Sequence, residues 1–337
     1  MGQLPFERRD KQVLERTQAT TSPKYGKPPS ARTTAELVKN GIAIIDKPDG
    51  PSSHQVSAYV RQILKLDKTG HSGTLDPGVT GVLPVALGSG TRIVQSLLSA
   101  GKEYICLMHV HESVPEERLR ATLAQFVGKI KQLPPVKSAV KRQWRYRKVY
   151  YLDILDIKGQ DVLFVCGVQA GTYIRKLCHD IGESLGCGAH MSELRRTKAA
   201  GFTEAQAITL QDLADAFYYY MQEQNEAPLR RILLPLETGV AHLPKIWVQD
   251  SAVDALCHGM QLKIPGIVRL ESDIQAEDLV AVMTLKDELV LVGKALLPSR
   301  QMLADKGIAV KTEQVFLPPG TYPKQERATQ SAPQVGQ

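Results

Sequence analysis

Apolar residues recur along this chain with two periods, one of a half-buried or buried strand and one of an amphipathic helix. Gly41 to Asp46 is a short apolar run that reads as a strand. The breaker Lys47-Pro48-Asp49-Gly50-Pro51 follows, and Ser52 or Ser53 then caps a helix carrying Val56, Val60, Ile63 and Leu64 at helical spacing. The run Val79 to Leu87 predicts a second strand. Thr91 is placed to cap a helix through Ile93, Val94, Leu97 and Leu98, and Lys102 to His111 reads as strand. Pro115 at a first helical position, with Glu116 and Glu117 behind it, opens a helix to about Val127. A hairpin about Lys158-Gly159-Gln160-Asp161 joins Tyr151–Ile157 to Val162–Val168. Thr172 is a candidate cap for a helix from Tyr173 to Leu185, and Thr209 with Asp212 makes a capping pattern for one ending near Gln224.

From about Ile246 the texture changes to short strands and glycine turns: Ile264 to Val268, Leu279 to Met283 and Leu289 to Leu297. At the other end, residues 1–35 are polar and basic, with Pro23, Pro28 and Pro29. Alone they would be a disordered arm, although Leu4, Phe6, Val13 and Leu14 could dock it on a folded body. The expected organisation is an arm over 1–35, an α+β domain over 36–243, a small β domain over 244–325 and a disordered tail over 326–337.

Composition narrows the class. The chain has 337 residues, 42 basic against 35 acidic, and a net charge of +7. Such a balance suits an acidic polymer as partner. The five cysteines are odd in number and form no C-x-x-C pair, so they read as reduced thiols of a cytoplasmic chain. No apolar run approaches the roughly 20 residues that span a bilayer.

Two stretches carry candidate chemistry. In Gly70-His71-Ser72-Gly73-Thr74-Leu75-Asp76-Pro77-Gly78-Val79-Thr80-Gly81-Val82-Leu83, four glycines and a proline surround one carboxylate, Asp76. That density fits a sharply bent backbone or one lying close to a ligand. Lys137 to Lys148 holds six Lys or Arg and no acid, with Trp144, Tyr146 and Tyr150 interleaved. Its Lys141, Arg142, Arg145 and Arg147 can neutralise phosphates while the aromatics stack on bases or pack in the core. Cys178-His179 with Cys187-x-x-His190 offers zinc-ligand types, but Cys178 and His179 are neighbours on a helix and diverge by about 100°.

Gly73-Thr-Leu-Asp-Pro77 with Thr80-Gly-Val-Leu83 resembles the catalytic motif of the TruB/dyskerin family of RNA pseudouridine synthases. Three further stretches are similar to that family in the expected order: Asp46-Lys-Pro-x-Gly-x-Ser-Ser53, Gly101-Lys-Glu-Tyr104 and Gly171-Thr-Tyr-Ile-Arg175. The likeness covers about residues 36–325. It implies a catalytic domain built on a mixed or antiparallel sheet flanked by helices. The β-rich C-terminal region looks like a PUA domain, a small barrel-like RNA-binding module, with Gly259 and Gln261 at its helix-to-strand turn.

The resemblance implies roles. Asp76 would be the essential carboxylate, acting as nucleophile or base, with Arg175 pairing to it and Tyr104 stacking on the target base. Tyr173 would lie beside Arg175, and Leu194 of Ser192-Glu-Leu-Arg-Arg-Thr197 would wall the pocket. His71 would enter where the flipped base was, and Lys47 would be structural or face RNA. No cofactor or metal is expected, because the reaction is an isomerisation. A uracil pocket dry enough for the chemistry favours the neutral acid at Asp76, and Arg175 opposes that.

Within the family the N-terminal arm and the wording around Asp76 look archaeal and dyskerin-like. That branch acts on ribosomal RNA under box H/ACA guide RNAs and is also expected to act on the T-loop of transfer RNA. The implied partners are RNA, a small zinc-binding protein, a β-barrel protein and a kink-turn-binding protein. A stand-alone transfer-RNA enzyme is the near alternative. Of other classes, a glycosidase-like hydrolase would need a second carboxylate flanking the bond, and a non-catalytic scaffold would leave bound uridine unchanged.

Overall fold

A computed structural model describes residues 2–134 and 142–324. The chain divides into two compact units, one of residues 1–9 and 32–242, the other of residues 10–31 and 243–337. Lys141 and the proposed disordered tail over 326–337 lie outside the described residues.

In the first unit the strands are β1 (Gly41–Lys47), β2 (Thr69–His71), β3 (Thr80–Leu87), β4 (Lys102–Val110), β5 (Gly128–Gln132), β6 (Arg145–Lys158), β7 (Asp161–Val168), β8 (Ala189–Ala199) and β9 (Leu233–Pro235). They form one sheet in the order β9-β1-β3-β8-β4-β7-β6-β5, with β2 paired to β3 and the short strand Phe202–Thr203 to β8. The β3–β8 pair is parallel and its neighbours are antiparallel, so the sheet is mixed. Around it lie α1 (Thr34–Asn40), α2 (Ser53–Ile63), α3 (Val94–Ser99), α4 (Glu116–Ala124), α5 (Ile174–Leu185), α6 (Leu210–Gln222) and α7 (Ala227–Ile232).

Local sequence explains most of these boundaries. Ser52 caps α2 and Thr209 caps α6, each through a reciprocal box with the residue three further on. Ser53, the other candidate, is instead the first helical residue and is buried. Thr172 does not cap α5: Tyr173 holds that position, and the Thr172 hydroxyl donates to the Gln169 carbonyl at 2.7 Å. Likewise Thr91 donates to Gly88 within a 3-10 turn, and α3 starts only at Val94. The apolar stripe of α5 (Ile174, Leu177, Cys178, Ile181 and Leu185) is buried against β4, β7 and β8 side chains. Burial of side chains of this size stabilises by roughly 1.5–3 kcal/mol each.

The second unit holds α8 (Asp250–Cys257) and strands β10 (Lys245–Val248), β11 (Leu262–Lys263), β12 (Ile267–Glu271), β13 (Leu279–Thr284), β14 (Leu289–Ala295) and β15 (Ile308–Val315). Their sheet order is β12-β10-β13-β14-β15-β11, and Val13–Glu15 adds an outer antiparallel strand to β12. Gly259, at φ 83°, makes the turn between α8 and β11.

The N-terminal residues are therefore not one loose arm. Leu4 is wholly buried in the first unit beside Tyr151 and Val165. Residues 10–31 belong to the second, where Asp250 accepts from the Ser22 amide at 2.8 Å and Glu288 from the Lys27 amide at 3.1 Å. The arm has too few apolar residues to fold alone, but it completes a sheet edge and fills core positions that other segments build.

Candidate active site

The β2–β3 connection carries Asp76 and is pinned from below by buried groups. The Lys47 ammonium donates at 2.8 Å to each of three carbonyls, those of Pro48, Pro77 and Val79. Its three protons are thus used on the two loops it joins. The residue is fully buried, so it braces the Asp76 loop and cannot face RNA, which corrects that part of the sequence reading. Burial lowers its pKa below the ordinary lysine value, against the opposing pull of Asp49. Ser53 adds a second clamp: its hydroxyl accepts from the Leu75 amide at 2.8 Å and donates to the Leu75 carbonyl at 3.2 Å.

Two of the four glycines meet the geometric demand their density suggested. Gly73 and Gly81 have φ of 93° and 105°. At Gly81 a Cβ would lie 2.2 Å from the Arg196 carbonyl oxygen, so only glycine lets β3 and β8 approach.

Opposite this loop, α5 begins. Gln132, nearly fully buried on β5, accepts from the Tyr173 amide at 3.1 Å and donates to the Tyr173 carbonyl at 3.2 Å. Anchoring the helix start in this way sets the direction of Arg175, one residue into α5. Arg175 Nη2 donates to Asp76 Oδ2 at 2.6 Å across 99 positions of sequence. Their side chains are 59% and 56% exposed, so the pair lies open at the surface.

The sheet brings in the remaining candidates. Register pairs Tyr104 of β4 with Arg196 of β8, and Cys106 with Leu194. Tyr104 and Leu194 are both partly buried and pack on the same core. His71, at the end of β2, is partly buried with its ring edge-on to His54 at 4.7 Å between centroids. Burial, with help from the His54 ring, pushes its pKa down to about 4, leaving a neutral imidazole at physiological pH.

Two cations escaped the sequence reading. Arg196 is 1% exposed; its Nε donates to the Val82 carbonyl at 2.7 Å and Nη2 to that of Gly73 at 3.4 Å. Lys102 donates to the carbonyls of Leu97, Leu98 and Ala100 at the C-terminal end of α3, at 2.7–3.1 Å. Burial, then the charge of Arg196, pushes its pKa down to about 7. The available signal was strand alternation: Lys102 lies two residues before Tyr104, and Arg196 two after Leu194, so each shares a face with a candidate.

The basic stretch divides between two faces. Arg142, Trp144, Tyr146 and Lys148 are exposed, whereas Arg145 and Arg147 are half-buried. The Arg147 guanidinium lies against Gly171, just ahead of α5. Tyr150 packs inward beside Leu4 and Tyr151. On the outward face, Lys129 sits over the Tyr146 ring at 4.2 Å and Lys131 over the Trp144 ring at 4.8 Å. These two lysines belong to β5, which the sequence did not connect with the basic run.

The zinc-type residues do not converge. Cys178 is buried with its Sγ 3.6 Å from that of Cys106, while His179 is exposed beside Asp180. Among the described residues no group of three or more His, Cys, Asp or Glu could hold a metal ion. Nor, among them, is any helix long and apolar enough to cross a membrane.

Residues 61–174 match the TruB family pseudouridylate synthase N-terminal domain, and residues 175–241 the tRNA pseudouridylate synthase B C-terminal domain. Residues 244–316 match the PUA domain and residues 2–57 the DKCLD domain. A probable tRNA pseudouridine synthase B of Methanopyrus kandleri is 53% identical over 95% of each chain. One of Pyrococcus abyssi is 52% identical over 95% of this chain and 97% of its own. Among solved structures, a Cbf5–Nop10–Gar1 complex contains a chain 52% identical, with a TM-score of 0.92 over 96% of this chain and 98% of that one. An H/ACA RNP bound to a substrate RNA containing 2′-deoxyuridine contains one 49% identical, with a TM-score of 0.89 over 96% and 99%.

Proposed function

The chain belongs to the TruB family of pseudouridylate synthases, and from that premise we propose that Asp76 is the carboxylate that isomerises a flipped uridine, in a catalytic subunit directed by guide RNA. The enzyme class itself, an isomerase acting on RNA, comes with the family. One observation carries the assignment of the residues: the 2.6 Å contact between Arg175 and Asp76, which nothing in their sequence separation requires.

Isomerisation breaks the N-glycosidic bond, turns the base and rejoins it through carbon 5. The target must leave its stack, which costs a few kcal/mol. In our reading Tyr104 offsets part of that by stacking, Leu194 and Tyr173 wall the pocket, and neutral His71 enters the vacated position without bringing a charge. The open surface around Asp76 and Arg175 means that the base itself excludes water. The guanidinium stays beside the carboxylate, and their attraction strengthens as the dielectric falls. Lys129, Lys131, Trp144 and Tyr146 extend the RNA contact, with Arg142, Arg145, Arg147 and Lys141 as the candidates from the basic run.

Guided action is favoured by the similarity, over nearly the whole chain, to proteins solved within H/ACA assemblies. The transfer-RNA reading is supported by the names of the curated relatives. Guide RNA, Nop10- and Gar1-like proteins and a kink-turn-binding protein are the partners we propose, with a cytoplasmic location. Tritium release from RNA labelled at uridine carbon 5 tests these together, with Asp76→Asn as control. Release from a transfer-RNA transcript alone supports the stand-alone activity; release only with guide and partners makes guidance obligatory. RNA binding without release would favour a scaffold.

A further inference from the structure

We propose that Arg196 is a positioning residue for this reaction, tying the Tyr104 phenol to the Asp76 loop so that stacking ring and reacting carboxylate keep one mutual geometry. The inference rests on the assignment of Asp76 and Tyr104 above. Arg196 reaches three separate elements. It donates to Val82 on β3 and to Gly73 on the Asp76 loop, and its guanidinium faces the Tyr104 hydroxyl on β4. Tyr104 is also its register partner, which sends both side chains to the same face of the sheet.

The expense of the arrangement argues for a use. Arg196 is a buried cation that donates to backbone carbonyls, with no carboxylate paired to it among the described residues, and Lys102 and Lys47 lie close enough for mutual repulsion. A guanidinium buried without an opposite charge is strongly disfavoured, and an apolar side chain of similar volume would pack there with a smaller penalty. What an apolar side chain cannot do is donate to a strand and to the Asp76 loop while holding a positive charge beside a phenol. Gly81 reinforces the point, since its missing Cβ lets the Arg196 backbone lie against β3. A phenol turned towards the Arg196 guanidinium has its own proton left to donate into the pocket, where a uracil carbonyl would meet it.

The test is a double-mutant cycle in single-turnover tritium release, using the full chain with whichever RNA and partners the wild type requires. Arg196→Met and Tyr104→Phe are each expected to lower the rate about tenfold or more, with RNA affinity changed less than about threefold. The double variant should be no slower than the slower single one. Multiplying effects would show that Arg196 does not act through the hydroxyl and would overturn the proposal, as would a wild-type rate in either single variant. If Arg196→Met fails to fold by near-ultraviolet circular dichroism, Arg196→Lys keeps a buried cation and removes the fork. Combined with Tyr104→Phe it should show the same non-additivity, and multiplying effects there again refute. Asp76→Asn separates the two levels: turnover in that variant would sink the Asp76 assignment, whereas its inactivity with independent Arg196 and Tyr104 effects would sink only this inference.

Discussion

Replacing Arg175 by alanine should separate stability from catalysis. Both partners of the Arg175–Asp76 contact are more than half exposed. Pairs of that kind contribute about 0–1 kcal/mol to folding, because water screens them and two side chains must be ordered. The variant should therefore unfold in urea within about 1 kcal/mol of the wild type. In the reacting complex the base covers the pair. At about 4 Å between charge centres and an effective dielectric constant near 20, the attraction becomes about 4 kcal/mol. If it is realised only once the base is seated, its loss costs roughly a thousandfold in rate. Single-turnover tritium release reads that number directly, and Arg175→Lys should lie between, since it keeps the charge and loses the planar fork. A rate within about threefold of wild type, or a stability loss of several kcal/mol, would refute the reasoning.

The other expectations use the same material. Lys47→Met removes three hydrogen bonds to carbonyls and relieves a buried charge, for a net loss of roughly 2–4 kcal/mol in urea unfolding together with turnover; an unaltered rate would show that the Asp76 loop needs no brace. His71 has its pKa pushed down to about 4 against an unfolded value of 6.5, so the unfolded chain takes up that proton first. Stability should fall as pH drops from 6.5 towards 4, and His71→Asn should flatten that part of a melting-temperature profile. Lys129→Gln with Lys131→Gln should weaken RNA binding and reduce the slope of log affinity against log salt by about 1.4, at about 0.7 per phosphate contact; an unaltered slope would take the β5 face out of the RNA contact.

Period and punctuation in the sequence determined much of this protein by themselves. The capping boxes at Ser52 and Thr209, the strand from Gly41 and the hairpin at Gly159 are local features, set by residues within one turn of each other. The Asp76 loop was legible for the same reason, and Arg175 through a motif resemblance. Tertiary structure decided where the cations went. A lysine next to Pro48 looks alike whether it meets phosphate or three carbonyls, because two of the carbonyls come from Pro77 and Val79, 30 and 32 residues away. Arg196 became visible only when β3, β4 and β8 were side by side, and Lys129 only when β5 paired with β6. The first 31 residues divide between two units because each part completes a core that it cannot form alone. Short-range hydrogen bonds write themselves into neighbouring residues; burial and charge compensation are sums over the whole neighbourhood, and that neighbourhood exists only in the folded chain.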